Sequence, residues 1–207
     1  MRYPNFNEEK KLWKKGFKAV VGLDEAGRGP LAGPVLAAAV VITPGSKNKV
    51  SKLKIQDSKK LTAKKREEFY KILVGHPQIK WGIGRVSEKV IDKINILEAT
   101  KLAMEKALRQ VRTKLNKNID HLILDGNFKI KSKIPQKSII KADVKVFSCA
   151  TASIIAKVSR DRIMLKYDKK YPKYDFKKHK GYPTKLHRKV LKKVGLCPIH
   201  RKSFSLK

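Results

Sequence analysis

The chain has few cysteines, no long apolar run and no recognisable leader segment. Its two cysteines, Cys149 and Cys197, form no CxxC pair and have no histidine at zinc-finger spacing, so we expect neither a structural zinc site nor disulfides. The most apolar stretch, residues 30–43, is interrupted by a Gly-Pro pair and is too short to span a bilayer. The first 18 residues are polar and charged. These absences predict a cytoplasmic protein with no membrane partner.

Negative charge is also scarce, with 17 Asp and Glu against 51 Lys and Arg, so the formal net charge is +34. Such a charge indicates a polyanionic partner, because contacts with phosphates release counterions. Lysines outnumber arginines 41 to 10, a bias that the nucleotide composition of a genome can also produce. Charge therefore leaves two hypotheses open, a nuclease and a non-catalytic basic RNA-binding or ribosome-associated protein. The 41% apolar content excludes a disordered basic tail.

The hydrophobic pattern predicts an α/β fold with a mixed sheet. Apolar runs predict strands at 19–23, 35–42, 79–86, 121–124 and 138–146. Helical spacing predicts helices at 62–74, 90–115, 151–167 and 184–194. The sequence predicts Thr62 as the N-cap of the first of these helices. Strands that are first adjacent and then alternate with helices are typical of one α/β domain.

Four acidic residues at strand ends are the main functional signal. Asp24 follows an apolar strand and is followed by Glu25, Asp125 ends another apolar run, and Asp143 interrupts a third. A carboxylate beside buried apolar residues costs free energy unless it is paired or bound to metal. Asp125 or Asp143 alone is more simply a turn former, but the adjacent acids Asp24 and Glu25 repel each other without a cation. Taken together, the four predict a site for Mg²⁺ or Mn²⁺ and two-metal phosphodiester hydrolysis.

A glycine-rich turn follows the first two acids. Residues 22–27 have the glycine spacing of a phosphate loop, but Arg28 and Gly29 stand where that loop needs Lys and Ser or Thr. This departure excludes a nucleoside triphosphatase of that type. The turn formed by Gly27, Arg28 and Gly29 would still let a sugar-phosphate backbone approach its amides. A tight turn with a solvated arginine is an equally good interpretation at this point.

Eight short motifs follow one another along the chain: GLDEAGRGPLAGPV at 22–35, DSKKL at 57–61, INILEAT at 94–100, LDGN at 124–127, KAD at 141–143, ASIIAKVSRD at 152–161, HKGYPT at 179–184 and RKSF at 201–204. In this order they resemble the ribonuclease HII family of type II ribonucleases H. The first and last long motifs are highly specific, whereas LDGN and KAD are short. About twenty residues precede the first strand, which favours type II over type III enzymes, since the latter carry an extra N-terminal domain.

The resemblance implies an RNase H-like α/β fold, a mixed five-stranded sheet flanked by helices with a small helical C-terminal part. We expect a catalytic domain at residues 1–168 and a helical substrate-binding segment at 169–207. The implied activity is endonucleolytic hydrolysis of the RNA strand in RNA–DNA hybrids, with nicking 5′ of ribonucleotides embedded in duplex DNA. The implied cofactors are two Mg²⁺ or Mn²⁺ ions, and we expect a monomer.

The resemblance also assigns metal ligands by position. Asp24 resembles the ligand shared by both ions, Glu25 and Asp125 complete one site, and Asp143 completes the other. The family often has Gly where this chain has Ala142, a change that should leave the neighbouring ligand in place.

Substrate contacts are assigned in the same way. The turn formed by Gly27, Arg28 and Gly29 resembles the element that senses 2′-hydroxyl groups, and Tyr182 resembles the residue that stacks on the sugar at the RNA–DNA junction. The residues similar to family positions near the phosphates are Lys59, Lys60, Ser153 and Lys157. We treat Cys149 as a small buried residue and not as a nucleophile.

Two other hypotheses can be separated from the nuclease. A non-catalytic phosphate binder gains nothing from acids that converge on its binding face, so the four carboxylates argue against it. A resolvase or transposase with an RNase H-like fold would share the carboxylates, but it is not expected to share the turn at 27–29 or the KGYP segment at 180–183.

Overall fold

The computed structural model describes residues 3–46, 53, 55, 58, 61–115 and 118–205. Five strands form one sheet in the order β3-β2-β1-β4-β5. They are β1 (Val20–Ala26), β2 (Val35–Ile42), β3 (Ile79–Val86), β4 (His121–Asp125) and β5 (Gln136–Ile139). Strands β1, β2 and β3 pair antiparallel, while β4 runs parallel to both β1 and β5. The predicted mixed five-stranded sheet is confirmed.

Helices cover both faces of this sheet. They are α1 (Asn7–Lys14), α2 (Ala63–Gly75), α3 (Glu88–Arg112), α4 (Phe147–Lys170), α5 (Phe176–His179) and α6 (Lys185–Val194). Strand β2 is buried along its whole length, with Ala37 and Ala39 in the core beneath α3 and Ala38 and Val40 in the core beneath α4. Successive side chains of a strand point to opposite faces, so a continuous apolar run is what a doubly covered strand requires. No described helix combines the length and apolarity needed to cross a membrane.

Close packing of α3 on the sheet depends on two glycines of β3. A Cβ atom at Gly84 would overlap the carbonyl oxygen of Ala103, and one at Gly82 would lie 2.5 Å from the carbonyl oxygen of Ala107. These two glycines therefore let the backbones of strand and helix approach each other.

Threonine side chains cap two helices, and one of them, Thr62, is the N-cap predicted from the sequence. Thr62 precedes α2 and accepts a hydrogen bond from the Lys65 amide at 3.3 Å. Thr184 precedes α6 and accepts one from the His187 amide at 3.2 Å. Each hydroxyl satisfies an amide that has no partner inside the helix, which fixes where the helix begins.

Several predicted boundaries were wrong, among them the start of the helix predicted at 151–167, which begins at Phe147. The strand predicted at 138–146 ends at Ile139, because Lys141 adopts a left-handed conformation (φ 57°) and a 3-10 turn follows at Ala142–Val144. The first strand continues to Ala26, beyond the predicted end at residue 23. The helix predicted at 90–115 is interrupted at Asn95, where φ is 63°. The Asn95 side chain accepts hydrogen bonds from the amides of Leu97 and Glu98, and a second helical segment begins there.

The C-terminal part packs on α4 and on the loop after β1. Its apolar cluster consists of Leu31, Ala32, Met164, Tyr174, Phe176, Leu191 and Ile199. The predicted division at residue 168 falls two residues before the end of α4, so that helix runs through it. The division into catalytic and substrate-binding parts stays a prediction.

Candidate metal centre and nucleic-acid surface

Three aspartates from separate elements meet at one end of the sheet. Asp24 lies in β1, Asp125 ends β4, and Asp143 lies in the 3-10 turn before α4. In the parallel pair β1 and β4, Leu23 is aligned with Leu124, so the two aspartates that follow are neighbours. One carboxylate oxygen from each of the three aspartates lies within 4.8 Å of the others. The sequence-based expectation that these acids converge is therefore met for three of the four.

A hydrogen bond places the third aspartate. The carboxylate of Asp125 accepts a hydrogen bond from the Ala142 amide at 2.7 Å, which ties the 3-10 turn to the end of β4. Asp143 is the next residue in that turn. Although Asp143 does not lie in a strand as predicted, its side chain still reaches the cluster.

Electrostatic repulsion within the cluster is strong. Burial, the charge of Glu25 and then the charges of Asp125 and Asp143 raise the pKa of Asp24 well above its usual range, against a lowering hydrogen bond from Ser153. Asp24 and Asp143 are only 4% and 2% exposed. Buried carboxylates that repel one another are stabilised in their ionised form by a cation, and an all-oxygen donor set suits a hard divalent ion. The residues present therefore fit Mg²⁺ or Mn²⁺.

Glu25 stands slightly apart from the three aspartates. It follows Asp24 in β1 and is half-buried, and one of its carboxylate oxygens lies 3.5 Å from a guanidinium nitrogen of Arg28. It is not among the three acids that share the 4.8 Å grouping. Its charge nevertheless raises the pKa of Asp24, so Glu25 belongs to the same electrostatic site. Its role as a metal ligand stays a prediction.

One side of α4 carries three polar residues on successive turns, and the first of them, Ser153, hydrogen-bonds Asp24 of this centre. Ser153 is buried, and its hydroxyl lies 2.9 Å from that of Ser58. Lys157 pairs with Asp161 at 2.7 Å, and burial lowers its pKa. Arg160 follows almost one turn later and is fully buried. Lys59 and Lys60, which the resemblance assigns near the phosphates, lie outside the described residues.

The turn at 27–29 and Tyr182 form one continuous surface. Gly27 has a positive φ of 99°, and a Cβ there would overlap the side chain of Arg160. Arg28 and Gly29 are exposed. Tyr182 is 37% exposed, and a Cβ built on Gly29 would lie 4.0 Å from its ring. The structure thus brings together the two elements that the resemblance assigns to the sugar of the substrate.

Cations lie on the inner side of this surface. The ammonium of Lys157 lies 5.6 Å from the centroid of the Tyr182 ring, and the guanidinium carbon of Arg160 lies 5.8 Å from it. Cations at such distances are attracted to the face of an aromatic ring. These contacts involve the face of the ring and not its phenol hydroxyl.

Two buried arginines support the surface, and no sequence pattern pointed to them. Arg160 donates hydrogen bonds to the carbonyl oxygens of Ala32, Pro34 and Lys180, each at 3.0 Å. Arg201 is 1% exposed and holds the turn at 27–29 from the other side. Both residues occur within the matching motifs, but their burial cannot be read from a chain with ten arginines.

Three buried histidines lie beneath Tyr182. His187 contacts the Tyr182 carbonyl oxygen through Nδ1 at 2.9 Å and Nε2 of His200 through its own Nε2 at 3.1 Å. His179 stacks on the His187 ring, with a distance of 4.2 Å between the ring centroids. His200 in turn accepts a hydrogen bond from the Cys197 amide at 2.9 Å. Burial and then the neighbouring histidine His179 lower the pKa of His187 to about 4, so its ring is neutral at pH 7. No sequence pattern indicated this cluster.

Both cysteines are free thiols. Cys149 is fully buried behind the sheet, with its sulfur 3.5 Å from the Ile123 carbonyl oxygen. Burial raises its pKa well above the usual range of a thiol. A neutral, inaccessible thiol is a poor nucleophile, in agreement with the structural role expected from the sequence.

Comparisons with known proteins agree over nearly the whole chain. The family model described as ribonuclease HII matches residues 21–207. The chain is 46% identical over 199 residues to a ribonuclease HII of Syntrophus aciditrophicus, covering 96% of this chain and 90% of that relative. It is 48% identical over 203 residues to a ribonuclease HII of Chlamydia trachomatis serovar L2, covering 96% and 89%. The crystal structure of ribonuclease H2 from Pyrococcus horikoshii OT3 matches with a TM-score of 0.71 at 27% identity, covering 91% of this chain and 94% of that one.

Proposed function

Because the chain belongs to the ribonuclease HII family, we propose that it hydrolyses the RNA strand of RNA–DNA hybrids and nicks duplex DNA 5′ of embedded ribonucleotides. Family membership makes the chain an RNase H hydrolase. The choice of substrate, the position of the cut and the two-ion mechanism are the proposal.

The observation that carries this proposal is the convergence of Asp24, Asp125 and Asp143 in a chain with a net charge of +34. A surface that only binds phosphates is weakened by a buried group of acids, because like charges repel. A metal-dependent phosphodiesterase uses such a group to hold cations against the scissile phosphate. The acids therefore favour a nuclease over the non-catalytic RNA-binding alternative.

Asp24, Asp125 and Asp143 would hold divalent metal, and Glu25 is proposed as a further ligand. When bound, two such ions would activate water and stabilise negative charge developing on the phosphate. The chain itself keeps these carboxylates oriented. Asp125 is fixed by the Ala142 amide, and the Ser153 hydroxyl donates to Asp24 and favours its ionised form.

Substrate is proposed to lie across the surface formed by the turn at 27–29 and Tyr182. Lys157 supplies positive charge beside that surface, and Ser153 lies close to the metal centre. Lys59 and Lys60 are proposed to contact phosphates. The exposed face of Tyr182 is suited to stacking on a sugar, where an added 2′-hydroxyl would crowd it.

The test is cleavage of a labelled DNA duplex that contains one ribonucleotide, with and without Mg²⁺ or Mn²⁺. We expect one nick on the 5′ side of the ribonucleotide, dependent on metal, and no cleavage of the all-DNA duplex. Asp143→Asn should lower turnover by about a hundredfold or more, because it removes a charged ligand and keeps the shape of the side chain.

A matched control removes an acid away from the site. Glu105→Gln neutralises a carboxylate of α3 that accepts a hydrogen bond from the Lys131 amide, and it should retain activity close to that of the unsubstituted chain. Full activity of Asp143→Asn, or strong cleavage in EDTA, would contradict the proposed mechanism. Duplex binding without cleavage under any metal would favour the RNA-binding alternative.

A further inference from the structure

The guanidinium of Arg201 is buried against the inner side of the turn at 27–29. It donates to the carbonyl oxygens of Gly27 at 2.6 Å and Arg28 at 2.8 Å, and to that of Gly33 at 3.0 and 2.8 Å. Burial lowers the pKa of Arg201 to about 9, still above neutral pH, so all its donors are present at pH 7. A planar fork that binds three carbonyl groups at once holds the backbone of this turn in one orientation.

Peptide geometry then fixes where the amides of the turn point. A trans peptide group directs its C=O and N–H in opposite directions, and the described part of the chain has no cis peptide bonds. With the Gly27 carbonyl held inward, the Arg28 amide points away from the guanidinium. With the Arg28 carbonyl held inward, the Gly29 amide also points away from the guanidinium.

The outer side of these two peptides is accessible to a ligand. Arg28 and Gly29 are both exposed, and the ring of Tyr182 lies beside Gly29. Two successive amides that point to the same side make a concave site for an oxygen with free lone pairs. A ribose 2′-hydroxyl offers such an oxygen, and a deoxyribose does not.

We propose that Arg201 is a positioning residue: it holds the turn at 27–29, to which the family resemblance assigns the 2′-hydroxyl of the substrate, so that the Arg28 and Gly29 amides face outwards. This inference rests on the proposed function. Arg201 itself lies behind the turn and does not touch the substrate. Its loss should therefore lower the preference for ribose more than it lowers the affinity for duplex.

The experiment compares binding of two duplexes that differ only in one 2′-hydroxyl. Asp125→Asn serves as the parent, because it should prevent cleavage while its amide oxygen can still accept a hydrogen bond from the Ala142 amide. Fluorescence anisotropy gives Kd for a duplex with one ribonucleotide and for the all-DNA duplex. In the parent we expect a preference for the ribonucleotide, and Arg201→Lys should reduce that preference about tenfold while changing Kd for the all-DNA duplex less than about threefold.

Lysine keeps the positive charge of Arg201 but cannot hold three carbonyl groups in one plane. The control is Leu73→Ala, which removes a fully buried side chain of α2 from the core between α2, α4 and the sheet. It should lower the melting temperature and leave the preference for the ribonucleotide unchanged. A purely structural role of Arg201 predicts that Arg201→Lys behaves in the same way, and that result would overturn the proposal.

A second variant tests whether the planar guanidinium group of Arg201 is needed or only its positive charge. Arg201→Ala leaves a cavity that added guanidinium ion can enter, and millimolar guanidinium should restore the preference for the ribonucleotide, whereas methylammonium should not. Rescue by both cations to the same extent would show that charge alone matters and would overturn the positioning role.

A measurement on the parent applies even if neither Arg201 variant folds. The amide NMR signals of Arg28 and Gly29 should shift on binding the ribonucleotide duplex and should shift much less with the all-DNA duplex. Equal shifts with both duplexes would overturn the inference. If the parent binds both duplexes equally and the unsubstituted chain cuts neither, the proposed function fails, which is a distinguishable outcome.

Discussion

The buried histidine cluster predicts a loss of stability in acid that can be assigned to one residue. His187 is fully buried, and its folded-state pKa is about 4, against about 6.5 for a free histidine. A histidine whose pKa is lowered on folding stabilises the protein above pH 6.5 and loses that contribution as the pH falls towards 4. The difference corresponds to roughly 3 kcal/mol, of which about 2 kcal/mol should be lost by pH 5, since each pKa unit is about 1.4 kcal/mol.

The assay is urea unfolding monitored by circular dichroism between pH 7.5 and pH 4.5. Burial also lowers the pKa of His179 and His200, so their contributions have the same sign and deepen the loss. The buried carboxylate of Asp24 has a raised pKa and contributes with the opposite sign. The comparison that isolates His187 is therefore between the unsubstituted chain and His187→Gln.

His187→Gln should be less stable at pH 7.5, because it disturbs the hydrogen bonds to Tyr182 and His200, but its stability should fall less on acidification. The control His76→Gln changes a histidine outside the cluster and should keep the pH dependence of the unsubstituted chain. If the free-energy difference between His187→Gln and the unsubstituted chain is the same at pH 7.5 and pH 4.5, the pKa of His187 is not depressed and the reasoning is refuted.

Three further predictions concern the metal centre, the stacking surface and the sheet. Mg²⁺ or Mn²⁺ should raise the melting temperature of the metal-free protein, and should raise it less in Asp24→Asn, because only the folded state holds the ligands together; equal shifts would place the bound ion elsewhere. Tyr182→Phe should keep most cleavage of a single-ribonucleotide duplex, whereas Tyr182→Ala should lose most of it and lose less on an all-RNA hybrid, as measured by initial rates; equal losses with a lowered melting temperature would make the ring structural. Gly84→Ala should cost about 3 kcal/mol in urea unfolding, because its Cβ would overlap α3, whereas Gly75→Ala, which meets no atom within 4 Å, should cost nothing.

Local patterns in the sequence were sufficient to predict most of the sheet and the convergence of three acids. The apolar run of β2 and the carboxylates Asp24 and Asp125 at neighbouring strand ends are signals carried by adjacent residues. The strand end near Asp143 could not be predicted, because Lys141 adopts a left-handed conformation that lysine rarely takes, and only the tertiary structure favours it there. The break at Asn95 was missed because the helical spacing of apolar residues continues across it.

The supporting residues could not be predicted for a different reason. Arg201 acts on the turn at 27–29, more than 170 residues earlier in the chain, and His187 acts through the backbone of Tyr182. A buried arginine and a surface arginine look alike in the sequence, because the partners here are carbonyl groups that every residue has. The motifs that resemble ribonuclease HII include Arg201 but assign no role to it, and they do not include His187.

Helix α4 carries Ser153, Lys157 and Arg160 on one side, so the positions of all three side chains depend on how the helix is rotated about its own axis. One residue inserted or deleted between positions 153 and 160 would turn the later part of the helix by about 100° relative to the earlier part. Ser153 would then face the metal centre while Arg160 pointed away from the loop that it supports. Evolution can change the identity of residues in this stretch more easily than their number, and we expect relatives to align with positions 153–160 without a gap.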